Sequence, residues 1–450
     1  MDIALQETTT RELRRTARRH QREGRVPGLV AAVCRGGELL WTDGIGVADV
    51  AEGRPPGVDD QFMVASNTKT FTAVLVMQLR DEGRLGLDDL LGDHLPGVTH
   101  PVTVRQALAH VSGMQREPMG DVWDTLVQPD GEELRSGFNE AERVGRPHDH
   151  WHYSNLAYAM LGQLVEAVAG RPWAEAVRER LLVPLGLTRT TVGFDGGSHA
   201  TGYYVPPFHD VPRPEPLPEF RAMNPVGGLA STATDLARWS AFVADPDPAV
   251  LSPDTLEEMC QPQVLTDPSR WTAAVGLGFF LIRSATGRTY VGHDGGNPGH
   301  VTSMFTHRES GTGGIALMNS TSAPDPATIA IGLADHVVEH DPVEEEPWQP
   351  AADVPEEMVG LLGRWWTEGR PMTITLRAGR LEARLDGLPA DRAPSVFEPA
   401  GPGVFRTVSG RERGELLRVT RAPDGSVSRL HWATYLCTRE PLAFGEHHDG

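Results

Sequence analysis

Lysine is nearly absent from this 450-residue chain, because Lys69 is the only lysine and every other basic residue is arginine. Arginine keeps its proton in proteins, whereas lysine can lose it when it is buried or placed beside another cation. A solitary lysine in such an arginine-rich chain indicates a position that needs a removable proton. The alternative is chance retention, and the residues around Lys69 distinguish the two.

Cysteine is also scarce. The three cysteines, Cys34, Cys260 and Cys437, are odd in number and far apart along the chain. This pattern argues against a disulfide framework or a zinc ribbon and fits a reducing compartment. The first 28 residues lack the apolar core of a secretory signal. We therefore expect the protein to be cytoplasmic.

Long apolar runs and excess positive charge are missing as well. No run reaches the roughly 18 apolar residues that a membrane-spanning helix needs. The formal net charge is −20, from 41 basic and 61 acidic residues. Such a surface repels phosphate backbones and anionic lipids, so we expect neither a nucleic-acid nor a membrane partner. With 39% hydrophobic residues, the composition is typical of a globular protein with a sizeable core.

The order of apolar segments predicts an α+β catalytic domain over residues 1–340. Strands are predicted across 28–42 as a hairpin, and then at 275–283, 289–293 and 313–319. Helices are predicted at 66–82, at about 155–169, and after the capping sequence 231–234. Ser66 is predicted to cap the first of these, which is apolar nearly all round and therefore buried. The segment 196–225, rich in Pro, Gly and His, is predicted to be a loop at the edge of a cleft.

The C-terminal part has a different sequence pattern. Residues 341–357 are rich in proline and acidic residues, which predicts a linker. Residues 358–445 contain short alternating runs separated by turn signals, which predicts a small antiparallel β-barrel. Trp365 and Trp366 fit the core of this module.

Ser66 and Lys69 are three residues apart, which is about one helical turn, so that both side chains face the same way. A neutral lysine there can accept the serine proton. Lowering the pKa of an amine from about 10.4 to about 7 costs roughly 4–5 kcal/mol, which burial and a second cation must supply. The N-terminal end of a helix also stabilises a developing oxyanion.

Two further segments supply polar side chains that suit the same reaction. Tyr153-Ser154-Asn155 opens the second buried helix, and His293-Asp294-Gly295 lies at the end of a predicted strand. Together with Ser66 and Lys69 they provide a nucleophile, an amine base, a phenol that can shuttle a proton, and a polar pocket wall.

With these motifs in place, the chain resembles the serine β-lactamase and penicillin-binding-protein superfamily, near the class C β-lactamases, esterases and D-amino-acid peptidases. The similarity extends from about residue 10 to 338. It rests on SNTK, YSN and HDG in order, with LAHVSGM at 108–114 and GGLASTATDLARW at 227–239. It implies a β-lactamase/transpeptidase-like fold, an antiparallel sheet flanked by helices with an all-helical subdomain. The C-terminal module resembles the lipocalin-like domains appended to some members, where it would brace the catalytic domain or cap the cleft.

The resemblance also implies roles for individual residues. Ser66 would be the acylated nucleophile and Lys69 its base. Tyr153 would pass a proton to the leaving group and later activate the acceptor, and Asn155 would orient the carbonyl side of the substrate. The Ser66 and Gly296 N–H groups would form the oxyanion hole, beside Gly295. His293 stands where many members have lysine, a departure typical of the esterase and peptidase relatives.

No cofactor is expected. His148, His150 and His152 have the alternate spacing of metal ligands on a strand. Because they directly precede Tyr153 and no further ligand set is evident, a polar cleft wall is the preferred interpretation and no metal site is predicted. His110 is interpreted as a buried histidine that holds the neighbouring loop.

The leading functional hypothesis is a carboxylesterase-like serine hydrolase that acts on a small-molecule ester or amide. Transfer of the acyl group to an amine, as in peptide-cyclising thioesterases, is the first alternative, and a D-stereospecific peptidase the second. A non-catalytic ligand-binding protein is the alternative from another class. It is disfavoured because Ser66, Lys69 and Tyr153 are all present.

Overall fold

The structure is a computed structural model, and it describes residues 5–344, 347–351, 353–389, 392–410, 412–443 and 446. The chain divides into two compact units, Met1–Glu344 and Glu345–Gly450. The predicted extents 1–340, 341–357 and 358–445 include residues outside the described ones. These extents stay predictions.

The described strands of the first unit are two to nine residues long. They are β1 Gly28–Arg35, β2 Glu38–Gly46, β3 Phe62–Met63, β4 Thr191–Val192, β5 Tyr203–Tyr204, β6 Arg213–Pro214, β7 Leu229–Ser231, β8 Val264–Leu265, β9 Ala273–Val275, β10 Phe280–Arg283, β11 Thr289–Asn297, β12 His300–His307 and β13 Thr312–Met318.

The helices of this unit are α1 Glu7–Glu23, α2 Thr68–Asp81, α3 Leu91–His94, α4 Val104–Leu108, α5 Val122–Thr125, α6 Gly131–Glu140, α7 Asn155–Ala169, α8 Trp173–Val177, α9 Asn224–Gly227, α10 Ala233–Ala244, α11 Pro253–Met259 and α12 Pro326–His340. Single 3₁₀ turns occur at Ala65–Asn67, Arg221–Met223 and Arg308–Ser310, and a π turn at Arg178–Leu182.

The described residues form an eight-stranded antiparallel sheet in the order β2-β1-β13-β12-β11-β10-β9-β8. Side chains alternate between the two faces of a strand, and β1 is buried on both. Leu29, Ala31 and Val33 pack in the cluster that contains residues of α1 and α12, while Val30 and Ala32 pack in the larger cluster with residues of α2 and α10. The α+β architecture with helices flanking an antiparallel sheet is confirmed.

Helix α2 is buried along almost its whole length, as its apolar pattern predicts. Two of its three buried threonines accept hydrogen bonds from tryptophans: Trp239 Nε1 donates to Thr70 Oγ1, and Trp173 Nε1 donates to Thr72 Oγ1, both at 3.1 Å. Paired hydroxyls avoid the cost of burying a polar group without a partner. These bonds hold α2 in place directly after the turn that contains Ser66.

Two local predictions are wrong. Ser66 does not cap α2, which begins at Thr68. Ser66 lies in the preceding 3₁₀ turn, and its hydroxyl faces Lys69 instead of a main-chain N–H. The run 275–283 is not one strand, because it is interrupted after β9. Within the interruption Gly278 has φ +95°, and a Cβ there would lie 2.2 Å from Ala73 Cβ.

Other local predictions are confirmed. Helix α7 ends at Ala169, and Gly170 follows in the left-handed conformation. The N-cap of α10 is Thr232, whose side chain accepts from the Asp235 N–H. The segment 196–225 is mostly loop, with the short pair β5–β6 inside it.

The second unit contains a short helix, α13 Glu356–Val359, followed by a closed antiparallel barrel of eight strands in its described residues. The strands are β14 Gly363–Thr367, β15 Arg370–Arg377, β16 Arg380–Leu385, β17 Ser395–Gly401, β18 Val404–Thr407, β19 Leu416–Arg421, β20 Val427–Trp432 and β21 Tyr435–Thr438. The small antiparallel barrel is confirmed. Trp365 is fully buried in its core, whereas Trp366 is only partly buried.

Among the described residues, the helices are all too short or too polar to traverse a lipid bilayer.

Candidate active site

The candidate nucleophile, Ser66, lies at a strained turn between β3 and α2. Ala65, directly before it, has φ +47°, a conformation that alanine rarely adopts. Such strain persists only where surrounding structure enforces it, and it is frequent at functional sites. Here the Val64 N–H donates to Leu229 O at 2.9 Å, which ties the turn to β7.

Lys69 Nζ lies 2.9 Å from Ser66 Oγ and 3.0 Å from Val226 O, and both of these hydrogen-bond partners are uncharged. The lysine side chain is completely buried. Burial lowers the pKa of Lys69 well below its ordinary value of 10.5; Glu117 opposes this shift, and Arg116 adds to it. The predicted lysine with a removable proton is thus placed directly beside the predicted nucleophile.

Tyr153 lies two residues before the start of α7, and its hydroxyl interacts with the Ser66 side chain. Burial raises the pKa of Tyr153 above its usual range. The ring stacks on His110, with ring centroids 4.2 Å apart, and Lys69 Nζ lies 5.0 Å from its centroid. Tyr153 is therefore a protonated phenol in contact with the serine.

His110 has the structural role that the sequence predicts. It is buried, and its Nδ1 accepts a hydrogen bond from the Ser154 N–H at 3.1 Å. In turn Ser154 Oγ donates to Gln115 O and accepts from the Ala157 N–H, which caps α7. This chain of bonds fixes the backbone on both sides of Tyr153.

Asn155, the first residue of α7, points its amide towards Glu117. Its Nδ2 donates to Glu117 Oε1 at 2.7 Å. Burial raises the pKa of Glu117, a shift that Asn155, Arg116 and Lys69 oppose. An acidic side chain thus lies within the electrostatic range of the buried lysine.

His293 is buried on β11 and is neutral. Burial lowers its pKa to about 3, and Lys69 contributes to the shift. Its Nδ1 faces the main-chain oxygen of Asp294, which can only accept, so Nδ1 carries the proton and Nε2 is left as an acceptor. His293 therefore supplies no positive charge at the position where many members of the resembled superfamily have lysine.

Strand β11 passes directly beside the backbone of the nucleophile at Gly295. A Cβ on Gly295 would lie 2.2 Å from Val64 O and 3.0 Å from Ser66 N, so only glycine fits. The next residue, Gly296, is exposed, and a Cβ there would meet no atom within 4 Å. This close approach brings the start of the Gly-rich segment next to the Ser66 N–H.

Six of the seven predicted site residues line one cavity of about 550 Å³. The sequence-predicted residues that line it are Ser66, Tyr153, Asn155, His293, Gly295 and Gly296. The seventh, Lys69, is fully buried and reaches Ser66 Oγ with its Nζ atom. The structure therefore brings all seven predicted site residues together, from three segments that are far apart in the chain.

Several cavity residues were not singled out from the sequence. They are Arg116, Glu117, Trp123, Gln128, Trp151, Phe220, Phe280 and Asp294. Burial raises the pKa of Asp294 to about 7. Asp294 belongs to the HDG motif, although no role was predicted for it, and Glu117 lies three residues after LAHVSGM. The aromatic residues carry no motif.

The three alternating histidines do not converge. His148 Nε2 lies 3.4 Å from Gln106 Nε2, His150 packs against Gly145, and the His150 and His152 ring centroids are 6.4 Å apart. Within the part of the chain that the structure describes, no group of three or more His, Cys, Asp or Glu side chains could hold a metal ion. None of the three histidines lines the cavity, although Trp151 between them does. The predicted cleft wall therefore consists of Trp151 rather than the imidazoles.

Residues 13–339 match the family model described as Beta-lactamase. The chain belongs to this family. Residues 354–439 match a second model, described as a domain of unknown function, DUF7586. The first match covers the unit that contains the candidate site.

Curated relatives of this beta-lactamase-family chain carry different names. It is 31% identical to penicillin-binding protein 4 of Amycolatopsis lactamdurans over 322 residues, covering 66% of this chain and 82% of the relative. It is 26% identical to penicillin-binding protein 4* of Bacillus subtilis over 364 residues, covering 74% and 76%. It is 36% identical to esterase EstB of Burkholderia gladioli over 216 residues, covering 44% and 53%.

Solved structures of other proteins share the fold of this chain. The octameric penicillin-binding protein homologue from Pyrococcus abyssi superposes with a TM-score of 0.64 at 22% identity, covering 95% of this chain and 99% of the other. A D-stereospecific amidohydrolase from Streptomyces superposes with a TM-score of 0.61 at 26% identity, covering 72% and 97%. The predicted resemblance is confirmed. The family places the chain in a serine hydrolase superfamily with penicillin-binding-protein, esterase and amidohydrolase members.

Proposed function

We propose that the chain hydrolyses small carboxylic esters through an acyl-enzyme on Ser66. The observation that carries this proposal is the buried Lys69 amine, 2.9 Å from the serine hydroxyl oxygen and hydrogen-bonded only to uncharged groups. Because burial disfavours the charged ammonium, the pKa of Lys69 is lowered and the amine becomes available as a base at a lower pH than an ordinary lysine. One of its N–H groups donates to Val226 O, which leaves its lone pair for the serine proton.

In the proposed acylation step, Ser66 Oγ attacks the ester carbonyl carbon while Lys69 Nζ accepts the hydroxyl proton. The negative charge moves to the carbonyl oxygen, where the Ser66 and Gly296 N–H groups receive it. The close approach of Gly295 to Ser66 N supports this pairing of donors. Tyr153, still protonated, donates its proton to the leaving alkoxide and regains one from Lys69.

In the proposed deacylation step, a water molecule takes the place of the leaving group. The water oxygen attacks the acyl carbon while Tyr153 takes the water proton and passes its own proton to Lys69. Lys69 then gives this proton to Ser66 Oγ as the ester bond breaks and the acid is released. A raised pKa suits Tyr153 to this role because a phenol that holds its proton at neutral pH can donate as well as relay.

Two features favour an ester with an apolar portion. Aromatic side chains of Trp123, Trp151, Phe220 and Phe280 line the cavity. Neutral His293 offers no cation for an anionic substrate group. The similarity to esterase EstB over 216 residues supports the same reaction class.

Covalent labelling tests the proposal. A fluorophosphonate should modify a single site, within the peptide that contains Ser66, and p-nitrophenyl butyrate present in excess should slow the labelling. A label on any other residue, or none at all after prolonged exposure, would contradict the proposed nucleophile.

We expect Tyr153→Phe to lower kcat for p-nitrophenyl butyrate by about 100-fold, the contribution typical of a positioned proton donor and acceptor. Both the burst of nitrophenol and the steady state should slow, because the phenol takes part in both steps. Stopped-flow measurement of nitrophenol separates the two phases.

Tyr158→Phe is the matched control. The Tyr158 hydroxyl is buried, has no hydrogen-bond partner among the described residues, and its ring lies 5.8 Å from Lys69 Nζ. Activity within about threefold of the wild type is expected for this control. Equal losses in the two variants would show that Tyr153 only supports the lysine environment.

A further inference from the structure

Helix α1 has a row of arginines along its exposed side. It contains six arginines and three glutamates, whereas the whole chain has a formal net charge of −20. At about 3.6 residues per turn, the six arginines lie within an arc of about 140°, opposite the buried residues Leu13 and Ala17. We call this row the arginine stripe, and its members, all exposed, are Arg11, Arg14, Arg15, Arg18, Arg19 and Arg22.

The fold makes little use of the arginine stripe. The side chains of Arg11, Arg15 and Arg22 are 71%, 79% and 76% exposed, and their carboxylate partners are glutamates of α1 itself at 3.9, 3.6 and 3.4 Å. Exposed ion pairs of this kind contribute little to stability. Two other members lie 3.8 and 3.5 Å from a single carboxylate, Asp43, and stay more than half exposed. The guanidinium groups are therefore available to the carboxylates of a partner.

An acidic groove in the same unit has the complementary charge. A cavity of about 900 Å³ is lined by much of α6 and by residues of the segment 118–130. Its charged lining residues, which define the acidic groove, are Asp121, Asp130, Glu132, Glu133, Glu140 and Arg221. Because five carboxylates face one guanidinium, the groove attracts cationic groups.

Gln128 indicates an occupant that donates hydrogen bonds. It lines the acidic groove, is only 2% exposed, and its Oε1 atom has no donor among the described residues. Buried polar atoms are nearly always paired in native proteins, and a guanidinium carries N–H donors on all three of its nitrogens. Because Gln128 also lines the cavity that contains Ser66, an occupant of the groove would lie next to the candidate active site.

The arginine stripe and the acidic groove lie on opposite sides of the main sheet. Leu13 and Ala17 of α1 pack in the hydrophobic cluster on one face, and Leu134 of α6 packs in the larger cluster on the other. The two charged surfaces therefore cannot meet within one molecule. Two copies bring them together head to tail, which leaves a free stripe at one end and a free groove at the other.

The spacing of the charges also agrees. On α6, Glu132 and Glu140 are eight residues apart, and the same separation joins Arg14 to Arg22 on α1. Eight residues of helix span about 12 Å. Two arginines of the stripe can therefore contact both glutamates when the two helices lie alongside each other.

The negative net charge of both copies does not prevent this contact. At about 0.15 M ionic strength the Debye length is about 8 Å, so charges that are farther apart are largely screened. The charges that face each other across the contact then decide, and these are opposite in sign. Since one helix face is smaller than a standard protein–protein interface, we expect weak and salt-sensitive association.

We propose that copies of this chain associate head to tail, with the arginine stripe of one copy bound in the acidic groove of the next. The arginines of each copy then lie beside the wall that the groove shares with the site cavity of its neighbour at Gln128. The acyl-enzyme chemistry proposed for Ser66 is not required for this association, so the two proposals stand or fall separately.

Sedimentation equilibrium of the full chain tests the proposal. At about 0.1 M NaCl, the weight-average mass should rise to at least about one and a half times the monomer mass between about 5 and about 300 μM protein. It should return to the monomer mass at about 0.5 M NaCl, because the contact is between exposed charges. A wild type that stays monomeric throughout would overturn the inference and favour an unrelated acidic protein as the partner of the stripe.

Charge reversal identifies the two surfaces. The stripe variant Arg11→Glu/Arg15→Glu/Arg22→Glu and the groove variant Glu132→Arg/Glu140→Arg should each remain monomeric, because like charges then face each other. An equimolar mixture of the two variants should associate as the wild type does, since the native groove of the stripe variant can bind the native stripe of the groove variant. Thermal unfolding curves close to that of the wild type are expected for both variants, because all five side chains are exposed.

The matched control reverses three exposed arginines outside α1, Arg146, Arg213 and Arg270, to glutamate and changes the net charge as much as the stripe variant does. It should associate as the wild type does. Loss of association in this control would show that net charge alone governs the behaviour and would overturn the inference. A stripe variant that still associates, or a mixture that stays monomeric although both variants are folded, would overturn it as well.

Discussion

Replacing Ser66 by alanine is expected to lower kcat for p-nitrophenyl butyrate by on the order of 10⁴-fold or more, the scale of loss when a catalytic nucleophile is removed. The proposed reaction has no other attacking oxygen from the protein, and alanine leaves only water in the cavity. Nitrophenol release at saturating substrate measures the effect.

The Ser66→Ala protein should remain folded. The Ser66 hydroxyl does not cap α2, and Lys69 keeps its hydrogen bond to Val226 O. Ser252→Ala is a suitable control, because Ser252 is exposed and its side chain makes no capping bond at α11. A Ser66→Ala protein with an unchanged thermal unfolding curve and more than about 1% of wild-type kcat would contradict the nucleophile assignment.

The substitution Lys69→Arg is expected to have the second large effect on activity. We expect kcat/KM to fall by roughly 10²- to 10⁴-fold, because arginine keeps the positive charge but cannot release a proton. Lys69→Met, which removes charge and base together, should be impaired to a similar extent. If Lys69→Arg retained more than about a tenth of the activity, the lysine would be needed for its charge and not as a base.

The pH dependence of the wild type tests the same assignment without a substitution. Only the neutral amine can accept the Ser66 proton, so kcat/KM should rise with pH as Lys69 is deprotonated. Since burial lowers the pKa of Lys69, the rise should level off well below its ordinary value of 10.5. A kcat/KM that still climbed through that value would indicate a lysine with an ordinary pKa.

Local sequence patterns predicted most of the fold because they act over short distances. The alternation in the C-terminal runs specified barrel strands, and Gly170 and Thr232 marked helix ends where the backbone required them. The interruption at Gly278 was not predictable, because it depends on how closely the chain approaches Ala73 of another element. The Ser66 cap was wrong for a related reason. Its hydroxyl had two possible partners, and the buried amine of Lys69 is the one it meets.

The candidate site likewise contains residues that the sequence could predict and residues that it could not. Residues within motifs, such as Ser66, Lys69 and Tyr153, could be placed together through the family resemblance. Glu117 and Gln128 could not, since nothing in their neighbouring residues distinguishes them from ordinary surface acids and amides. They belong to the site only because folding places both of them on the wall of the same cavity.

The most direct test of the account is the intact mass of the protein after brief exposure to p-nitrophenyl butyrate and rapid acid quenching. The account predicts that the wild type gains the mass of one butyryl group, that this group maps to Ser66, and that Ser66→Ala gains none. An equal adduct on both proteins, or nitrophenol release without a covalent intermediate in both the wild type and Tyr153→Phe, would contradict an acyl-enzyme on Ser66.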